Sequence, residues 1–430
     1  MVVVFVPRET EPGETRVSAT PETAKVMVQN GHQVGVEKGA GSAAGYPDKD
    51  YENAGATLTG DSSSARKEAD LVLGVRPPDD GMAGGFKEGA TLICGLQPML
   101  RLPLVRALAE AKVTTFAMDL MPRITRAQRM DVLSSQATVA GYQAVLLAAA
   151  ALPRMFPLLM TAAGTIPPAR VLVLGAGVAG LQAIATARRL GARVEANDIR
   201  SAVKEQVESL GATFVDTGAP PEAETRTGYA KETTHEYLKK QRQILTEHMS
   251  QADVVITTAL IPGRKAPVLI SADMVKAMGP GSIIVDLAVE MGGNVEGSVA
   301  NERVTVGGVT IIGDANLPAQ VPGDASRMFA RNINAFLGEL IAEGAITVNK
   351  ENEVIVGTLV THAGEICHQG SAEALAVKGA SPAETAPTEE VSSGEDEAPE
   401  TAPNDEGSSG EDEAPETAPT DEGSTAKGAS

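Results

Sequence analysis

Short apolar runs alternate with helical patterns along the first third of the chain. The runs of strand length lie at 2–6, 34–37, 56–58, 70–75 and 91–94. After the first run, Thr20-Pro21 is typical of a helix start, because proline suits the first helical position, and the helix ends near Gly31. Strands that alternate with helices indicate a parallel sheet, so the pattern predicts an α/β domain that runs to about Arg129.

The same alternation resumes after residue 168. Apolar runs predict the strands of a second, doubly wound sheet at 171–174, 193–197, 213–215, 254–258, 282–287 and 309–313. Two long helical patterns, Ser134 to Leu152 and Met328 to Ile341, stand at the ends of this segment. The predicted fold class is α/β, with two doubly wound Rossmann-like domains joined by two long helices. The predicted limits are 1–133 for the first domain, completed by 343–372, then 134–325 for the second domain and 326–342 for the second bridging helix.

The stretch from Ala169 to Arg200 carries the strongest signal of chemistry. Its apolar run ends at Gly175-Ala-Gly177-Val-Ala-Gly180, a helical pattern follows, and the next strand leads to Asp198. In such a turn the first glycine permits the tight bend, the second lets a pyrophosphate approach the backbone, and the third lets the helix pack on the strand. The amino end of the helix offers free N–H groups and partial positive charge to the phosphates.

Asp198 completes this signature. It follows Gly175 by 23 residues, close to the spacing of about 20 expected for the acid that accepts the ribose hydroxyls. A carboxylate there repels a 2′-phosphate, so the sequence favours NAD over NADP. A glycine motif alone is usually just a loop, but the strand before it, the helix after it and the acid beyond it together predict a dinucleotide site.

Charge and cysteine content narrow the classes of function. The chain has 430 residues and a formal charge of −20, and residues 381–430 hold fifteen acids and one lysine, which leaves −6 for the rest. No basic patch supports nucleic-acid binding, and two cysteines, Cys94 and Cys367, fit a reducing compartment. Neither a signal peptide nor an apolar stretch of about 18 residues is visible. We therefore expect a soluble, cytoplasmic chain.

The composition changes from Ser381 onward to Pro, Glu, Asp, Ser, Gly and Thr. Within this segment, Ser392 to Pro403 recurs as Ser408 to Pro419 with a period of 16 residues. Such a segment cannot bury enough apolar surface to fold. It predicts a disordered acidic tail over 381–430, to which we assign no chemistry.

A polar insertion interrupts the second domain between Gly218 and Gln243. It contains Pro220-Pro221 and Tyr229, one of only five tyrosines. A long polar insertion inside a compact domain is either functional or disordered. We interpret it as a lid that closes over the nucleotide, and a solvated loop is the alternative.

The stretch from Met121 to Gln136 is a second candidate site. In it, Arg123 and Asp131 can pair, and Gln128 can offer a donor and an acceptor to a carboxamide. Ser134 is a candidate cap for the helix that follows. From chemistry alone, a charged linker with a helix cap explains this stretch equally well.

The histidine inventory bears on the kind of hydride chemistry. None of the five lies in either candidate site: His32, His235, His248, His362 and His368. A dehydrogenase acting on an alcohol or amine also moves a proton, and so it usually keeps a His, Lys or carboxylate in place for that step. Direct transfer between two nicotinamides needs positioning and no such group.

Several long stretches resemble the NAD(H)-binding component of proton-translocating transhydrogenase, over about residues 3–370. They read PRETEPGETRVSATPE, MDLMPRITRAQRMDVLSSQ, MTAAGTIPPARVLVLGAGVAGLQAIATARRLGA, KEQVESLGATFV, GYAKE, ITTALIPGRKAPVLI and VDLAVEMGGN. The resemblance implies two domains around an NAD(H) cleft and a homodimer. It implies hydride transfer from NADH to NADP⁺ on a separate component, coupled to proton movement through a membrane component. Both partners would be separate chains, and this chain would associate with the inner face of the cell membrane through them.

The resemblance also implies roles for individual residues. Arg123, Gln128, Asp131 and Ser134 would position the nicotinamide, and Tyr229 would belong to a mobile loop. The predicted cofactor-binding residues are Gly175, Gly177, Val178, Ala179, Gly180, Asp198, Ile199, Arg200, Tyr229, Ala259, Leu260 and Asn316, and no metal ligand is predicted. One departure from the family is Asp314, which replaces a more familiar polar or histidine residue.

Alanine dehydrogenase shares the implied fold and is the rival interpretation. Its substrate-binding arginine would correspond to Arg16, its lysine to Arg76, its catalytic histidine to Gly95 and its active-site aspartate to Glu290. Three of these four positions are wrong for an amino-acid dehydrogenase. A third alternative is an NAD-binding regulator without turnover, against which the intact nicotinamide loop argues.

Overall fold

The computed structural model describes residues 1–218, 235–260 and 265–380. The predicted acidic tail, Tyr229 and most of the predicted lid lie outside these described residues.

The segment before Met118 alternates strands and helices, as its apolar pattern predicts. Its strands are β1 (Val3–Val6), β2 (Gln33–Glu37), β3 (Thr57–Thr59), β4 (Leu71–Leu73), β5 (Thr91–Cys94) and β6 (Thr114–Ala117). Its helices are α1 (Pro21–Gln29), α2 (Asp48–Asn53), α3 (Ser62–Glu68) and α4 (Leu102–Glu110). Helix α1 begins where predicted, because the Thr20 hydroxyl accepts a hydrogen bond from Thr23 N and Pro21 takes the first position.

A long helix and a short hairpin connect this segment to the next one. Helix α5 spans Val132–Ala151, and strands β7 (Leu159–Thr161) and β8 (Gly164–Ile166) form an antiparallel pair. The prediction that Ser134 caps the helix is wrong. Asp131 is the cap, because its carboxylate accepts from the backbone N–H of Ser134, the donor that a helix leaves unpaired in its first turn.

The second group of strands follows the predicted order. The strands are β9 (Arg170–Leu174), β10 (Arg193–Asn197), β11 (Thr213–Phe214), β12 (Val254–Thr257), β13 (Ile283–Asp286), β14 (Arg303–Val306) and β15 (Val309–Ile312). The helices between them are α6 (Val178–Arg189), α7 (Lys204–Ser209), α8 (His235–Met249) and α9 (Ala272–Lys276). Strand β14 was not predicted, because its residues alternate between exposed and half-buried positions at a sheet edge and form no apolar run.

The remaining described residues return to the first sheet. They form α10 (Pro322–Leu340), β16 (Ile341–Ala342), β17 (Ala345–Ile346), α11 (Glu353–Thr358), β18 (Leu359–His362), β19 (Glu365–Ile366) and α12 (Gln369–Ala380). Strand β18 pairs antiparallel with β6, and the Thr361 hydroxyl donates to Val113 O at 2.7 Å. The chain therefore adds its last two strands to the sheet that its first strands built.

Both sheets have the strand order of a doubly wound fold. The first reads β19-β18-β6-β5-β4-β1-β2-β3, and the second reads β11-β10-β9-β12-β13-β15-β14. Apart from the antiparallel strands at one edge, neighbouring strands are parallel, and the central ones are buried on both faces. The order reverses between β1 and β4 and between β9 and β12, which are the positions where such sheets bind ligands at their carboxyl ends.

Helices α5 and α10 divide their contacts between the two sheets. Phe336 of α10 meets Phe116 of β6 edge to face, with ring centroids 5.4 Å apart. On the other side, α5 packs against the start of α6, where a Cβ atom on Gly141 would overlap the carbonyl oxygen of Ala179. Glycine at 141 is therefore what lets α5 approach the turn that begins α6.

Among the described helices, α5 is long and apolar enough to cross a membrane by length and composition. The apolar runs of the sequence do not show this, because uncharged Ser, Thr and Gln residues interrupt them along the helix. Core helices of soluble proteins pass the same test, and α5 buries Val139, Ala144, Val145 and Ala148 inside the fold.

Candidate functional site

The glycine turn after β9 has the geometry that its sequence predicts. Gly175 has φ +100°, and a Cβ there would lie 2.5 Å from the Thr258 hydroxyl oxygen. A Cβ on Gly180 would overlap the Gly175 carbonyl oxygen, so helix and turn can meet only with glycine there. Around Gly177, in contrast, the nearest described atom is Arg200 Nη2 at 4.0 Å. The turn is thus closed on its protein side and open at Gly177.

The amino end of α6 is free to receive an anion. Gly177 is its N-cap, and no side chain of the described residues caps it. The first N–H groups of a helix have no partner within the helix, and its dipole favours negative charge there. Together with the open surface at Gly177, this arrangement fits a pyrophosphate.

Asp198 follows β10 and holds the turn in place. Its Oδ2 accepts from Ala176 N at 2.7 Å and from Arg200 Nη2 at 2.9 Å. Its Oδ1 accepts from the backbone N and the Nε of Arg200, at 2.8 and 3.0 Å. Each carboxylate oxygen has two lone-pair sites, so a ribose hydroxyl must displace the Arg200 guanidinium to reach Asp198. The sequence predicted the acid but not this internal partner.

The strand ends next to β9 are fixed by two residues that the sequence analysis did not single out. Buried Asn294 accepts from Ala259 N at 3.0 Å and donates to Ala259 O at 2.9 Å. The buried carboxylate of Asp286 in turn accepts from Asn294 N at 3.0 Å and from the Thr257 hydroxyl at 3.0 Å. Ala259 and the exposed Leu260, both predicted to contact the cofactor, therefore stand on a rigid base. Two signals in the sequence could have indicated these residues: an aspartate that ends an apolar strand, and an asparagine that follows two glycines.

The loop predicted to position the nicotinamide lies between β6 and α5. Arg123 and Gln128 are exposed, and Asp131 and Ser134 are half-buried. Asp131 accepts from Ser134 twice, from its backbone N at 2.9 Å and from its hydroxyl at 2.6 Å. These contacts make the Asp131–Ser134 pair a helix cap; the pairing of Arg123 with Asp131 stays a prediction.

Glu14 is the centre of a buried network at the carboxyl edge of the first sheet. Its side chain is fully buried, and Arg16 donates to it twice, from Nε to Oε1 at 2.8 Å and from Nη2 to Oε2 at 2.6 Å. Arg76 Nε donates to the same carboxylate at 3.2 Å, and Asn316 Nδ2 donates at 2.9 Å. Burial by itself would raise the pKa of Glu14, but the hydrogen bonds and charge of Arg16 outweigh it and lower the pKa to about 2.

The network extends to both long helices and to the second sheet. Arg16 Nη1 donates to Gln136 Oε1 at 2.8 Å on α5, and Gln136 Nε2 donates to Ala325 O on α10 at 3.1 Å. Arg76 Nη2 meets Glu290 Oε1 at 3.1 Å. Glu290 follows β13 and Asn316 follows β15, so these two contacts join the carboxyl edges of the two sheets.

Glu9 lies beneath this network. Its carboxylate accepts from Val75 N at 2.6 Å and Arg76 N at 3.2 Å. Burial raises the pKa of Glu9 to about 7, although these two hydrogen bonds oppose the shift. Glu9 thereby holds the turn that carries Arg76.

The turn after β15, where Asp314 departs from the family pattern, is fastened to α5. Gln320 Nε2 donates to Asp314 Oδ2 at 2.8 Å, and Gln143 Nε2 donates to Gln320 Oε1 at 3.0 Å. Asn316 in the same turn is bound to Glu14 and, at 3.3 Å, to Arg16 Nη2. Asp314 therefore has a structural partner here.

The positions of the rival interpretation also meet in this network. Arg16 and Arg76 are linked through Glu14, Arg76 also contacts Glu290, and Gly95 N donates to Val75 O at 3.1 Å. The described histidine side chains have their hydrogen-bond partners outside this network: His248 contacts Glu195, His362 contacts Thr114 and His368 contacts Ser371, and His32 is buried just after α1. An amino-acid dehydrogenase would lack its proton-transferring imidazole here.

Comparisons with known proteins agree with this geometry. The models of the alanine dehydrogenase/PNT N-terminal and C-terminal domains match residues 5–140 and 144–369. An NAD(P) transhydrogenase alpha subunit chain from Rhodospirillum rubrum is 49% identical over 374 residues, which cover 85% of this chain and 97% of that protein. The crystal structure of transhydrogenase from Sinorhizobium meliloti superposes with a TM-score of 0.75 at 44% identity, over 85% of this chain and 99% of the other.

An alanine dehydrogenase is a more distant relative. Alanine dehydrogenase 2 from Staphylococcus aureus is 28% identical over 383 residues, which cover 86% of this chain and 96% of that protein. The predicted resemblance and the predicted fold class are both confirmed. This chain belongs to the alanine dehydrogenase/PNT family and, within it, to the NAD(P) transhydrogenase alpha subunits.

Proposed function

We propose that this chain is the NAD(H)-binding subunit of a proton-translocating transhydrogenase. Bound NADH supplies a hydride, and the acceptor is NADP⁺ on a separate component, with a membrane component coupling the transfer to proton movement. The observation that supports this most is the contrast at the nicotinamide half of the cleft. Residues that would orient a ring are predicted there, whereas the described histidines, which could move a proton, have their hydrogen-bond partners outside it: Glu195 for His248, Thr114 for His362 and Ser371 for His368.

The adenosine half of NAD(H) belongs to the β9–β10 side of the second sheet. Gly175, Gly177, Val178, Ala179 and Gly180 would hold the pyrophosphate through backbone N–H groups at the start of α6. At the end of β10, Asp198, Ile199 and Arg200 would hold the ribose. The residues fit this group, since the helix end is uncapped by the described side chains and open at Gly177.

The nicotinamide half lies on the β12–β15 side, because a dinucleotide crosses the point where the strand order reverses. Ala259, Leu260 and Asn316 end or follow strands on that side. Gln128 would hold the carboxamide, and Arg123 would be fixed by Asp131, which Ser134 already orients. Tyr229, outside the described residues, would close over the bound nucleotide. The work of these residues is to set orientation and exclude water.

The proposed site lies between two bodies of the chain, whose limits we assign as follows. We assign 1–133 with 343–372 to one body and 134–325 to the other, with the bridging helix at 326–342. This assignment agrees with the pairing of β18 with β6, and with the contacts of α5 on α6. The cleft lies between the carboxyl edges of the two sheets.

We further propose that the chain is a homodimer and that partner chains bring it to the membrane. The β7–β8 hairpin supports self-association: Met160 is 73% exposed, and Leu158 and Ile166 beside it are also exposed. Exposed apolar groups clustered in this way mark interaction surfaces. Replacing Met160 with glutamate should shift the mass measured by light scattering from dimer to monomer. Unchanged mass would place the dimer contact elsewhere.

The proposed function is tested by hydride transfer from NADH to an NADP⁺ analogue, with and without the membrane fraction that carries the partner components. We expect NADH to bind the isolated chain, and transfer to require the fraction. NADH binding without transfer in any condition would favour a regulator. Alanine-dependent reduction of NAD⁺ at an ordinary dehydrogenase rate would favour the rival enzyme.

A further inference from the structure

Two guanidinium groups lie side by side at the nicotinamide half of the cleft. Arg16 Nη2 and Arg76 Nε donate to the same oxygen of Glu14, at 2.6 and 3.2 Å. Both arginines are largely buried, with side chains 6% and 16% exposed. A pair of converging, desolvated guanidinium groups is the arrangement that proteins use to bind small carboxylates.

The chain itself occupies this pair. Arg16 is held by Glu14, Gln136 and Asn316, so that its Nε and both of its Nη atoms have acceptors. Arg76 is held on one side by Glu14 and on the other by Glu290. Glu14 is inaccessible, whereas the Glu290 side chain is 38% exposed and comes from the opposite sheet. Among the described ligands of the pair, Glu290 is therefore the one that an incoming carboxylate can replace.

A free guanidinium at this place would have a chemical consequence. Small 2-oxo acids carry a carboxylate beside a carbonyl that accepts hydride. If Arg76 bound that carboxylate, the carbonyl would lie at the nicotinamide half of the cleft, where hydride leaves.

Building on the proposed function, we propose that Glu290 is a specificity-determining residue that occupies Arg76 and thereby excludes 2-oxo acids from bound NADH. The carboxylate of Glu290 occupies the position on Arg76 that the carboxylate of a substrate would take. The site therefore discriminates against 2-oxo acids because it is already occupied. The acceptor is then restricted to a group that needs no carboxylate anchor, such as the nicotinamide of a second nucleotide.

The experiment measures binding of oxamate, an unreactive analogue of a 2-oxo acid, to the full chain with NADH present. We expect no uptake by the wild type, and uptake by Glu290→Ala with a Kd of about 1–10 mM, because the guanidinium that binds oxamate is largely desolvated. The uptake should weaken with added salt and vanish in the double variant Glu290→Ala/Arg76→Ala. Glu302→Ala, which removes an exposed glutamate 12 residues away, should behave as the wild type.

Glu290→Gln, which keeps the size of the side chain but not its charge, guards against a folding defect in the alanine variant. It should take up oxamate more weakly than Glu290→Ala but more tightly than the wild type. A folded, NADH-binding Glu290→Ala or Glu290→Gln protein with no more oxamate uptake than Glu302→Ala would overturn the inference. Hydride transfer to the NADP component, measured on the wild type, separates the two hypotheses: its absence counts against the proposed function, and its presence without oxamate uptake by the variants counts against Glu290 alone.

Discussion

The carboxyl edges of the two sheets are built in opposite ways. At the first sheet, Glu14, Arg16 and Arg76 pair with one another, and Arg76 also pairs with Glu290 of the second sheet. At the second sheet, the start of α6 is uncapped by described side chains and open at Gly177. Under the proposed function, the open edge would receive the nucleotide and the closed edge would supply a rigid wall. The same doubly wound topology would then serve once as a binding site and once as a scaffold for it.

The largest effect is expected at the open edge, from Gly180→Ala. The added methyl would overlap the Gly175 carbonyl oxygen, so the turn must shift, with a loss of about 1–3 kcal/mol of stability and of most NADH affinity. Gly177→Ala is the matched control, because a Cβ there has no described atom closer than 4.0 Å. It should keep the melting temperature of the wild type and lose NADH affinity only. Equal melting temperatures in the two variants would contradict the assigned geometry.

At the closed edge, the buried carboxyl group of Glu9 should make the stability of the protein depend on pH. The pKa of Glu9 is about 7 in the folded state against 4.5 ordinarily, so the folded state binds the proton more tightly between these values. The contribution of Glu9 to the free energy of unfolding should therefore fall as pH rises from 4.5 to 7, by at most about 3 kcal/mol, and level off above. Glu9→Gln should remove this slope, as followed by urea unfolding at several pH values. The exposed Glu302→Gln should retain it.

A comparably large effect on rate is expected from Gln128→Asn. The shorter side chain keeps the amide but not its reach, and small misplacements of a reacting atom can cost about a hundredfold in rate. NADH affinity should change little, because the predicted pyrophosphate and ribose contacts are untouched. Single-turnover transfer in the reconstituted complex, beside an NADH titration, gives both numbers. A collapse in affinity with an intact transfer rate would make the loop a binding element.

The smallest effect concerns the choice of nucleotide. Wild type should bind NADH more tightly than NADPH, because the Asp198 carboxylate repels a 2′-phosphate. Asp198→Ala removes this repulsion together with the carboxylate that accepts from Arg200 Nε and Nη2, so the NADH preference should fall by about tenfold. Titrations with both nucleotides measure this preference as the ratio of the two Kd values. The double variant Asp198→Ala/Arg200→Ala is the reference, because it lacks both side chains. Equal affinities in the wild type would refute the role of Asp198.

The sequence predicted what depends on local pattern. Parallel strands buried on both faces are continuous apolar runs, so β5 was predicted with its observed limits. The turn at Gly175 and the acid at 198 followed from spacing. Strand β14 escaped because an edge strand lacks such a run, and Asp131 displaced Ser134 as the cap because three capping residues lie close together there.

The contacts between distant segments could not be predicted in this way. Glu14 and Asn316 are about 300 residues apart, and only the folded chain brings them together. The same holds for the Arg76–Glu290 pair, whose members are 214 residues apart. The contact of Arg200 with Asp198 is local, but the spacing of the motif shows an acid and not the group that neutralises it. Long-range ion pairs depend on the packing of whole sheets, and a single sequence carries no periodic signal for them.

Because α5 packs closely on α6 at Gly141, α5 fixes the distance between its own start and the start of α6. Asp131 stands at its start and Gly141 packs on Ala179 at the start of α6, so about 15 Å of helix separates the predicted nicotinamide loop from the predicted pyrophosphate site. The helix fixes the relative rotation of these two positions as well as the distance between them. One residue inserted between these positions would rotate the loop by about 100° and move it by about 1.5 Å relative to the turn, so the spacing of the two motifs along the chain is itself part of the binding site.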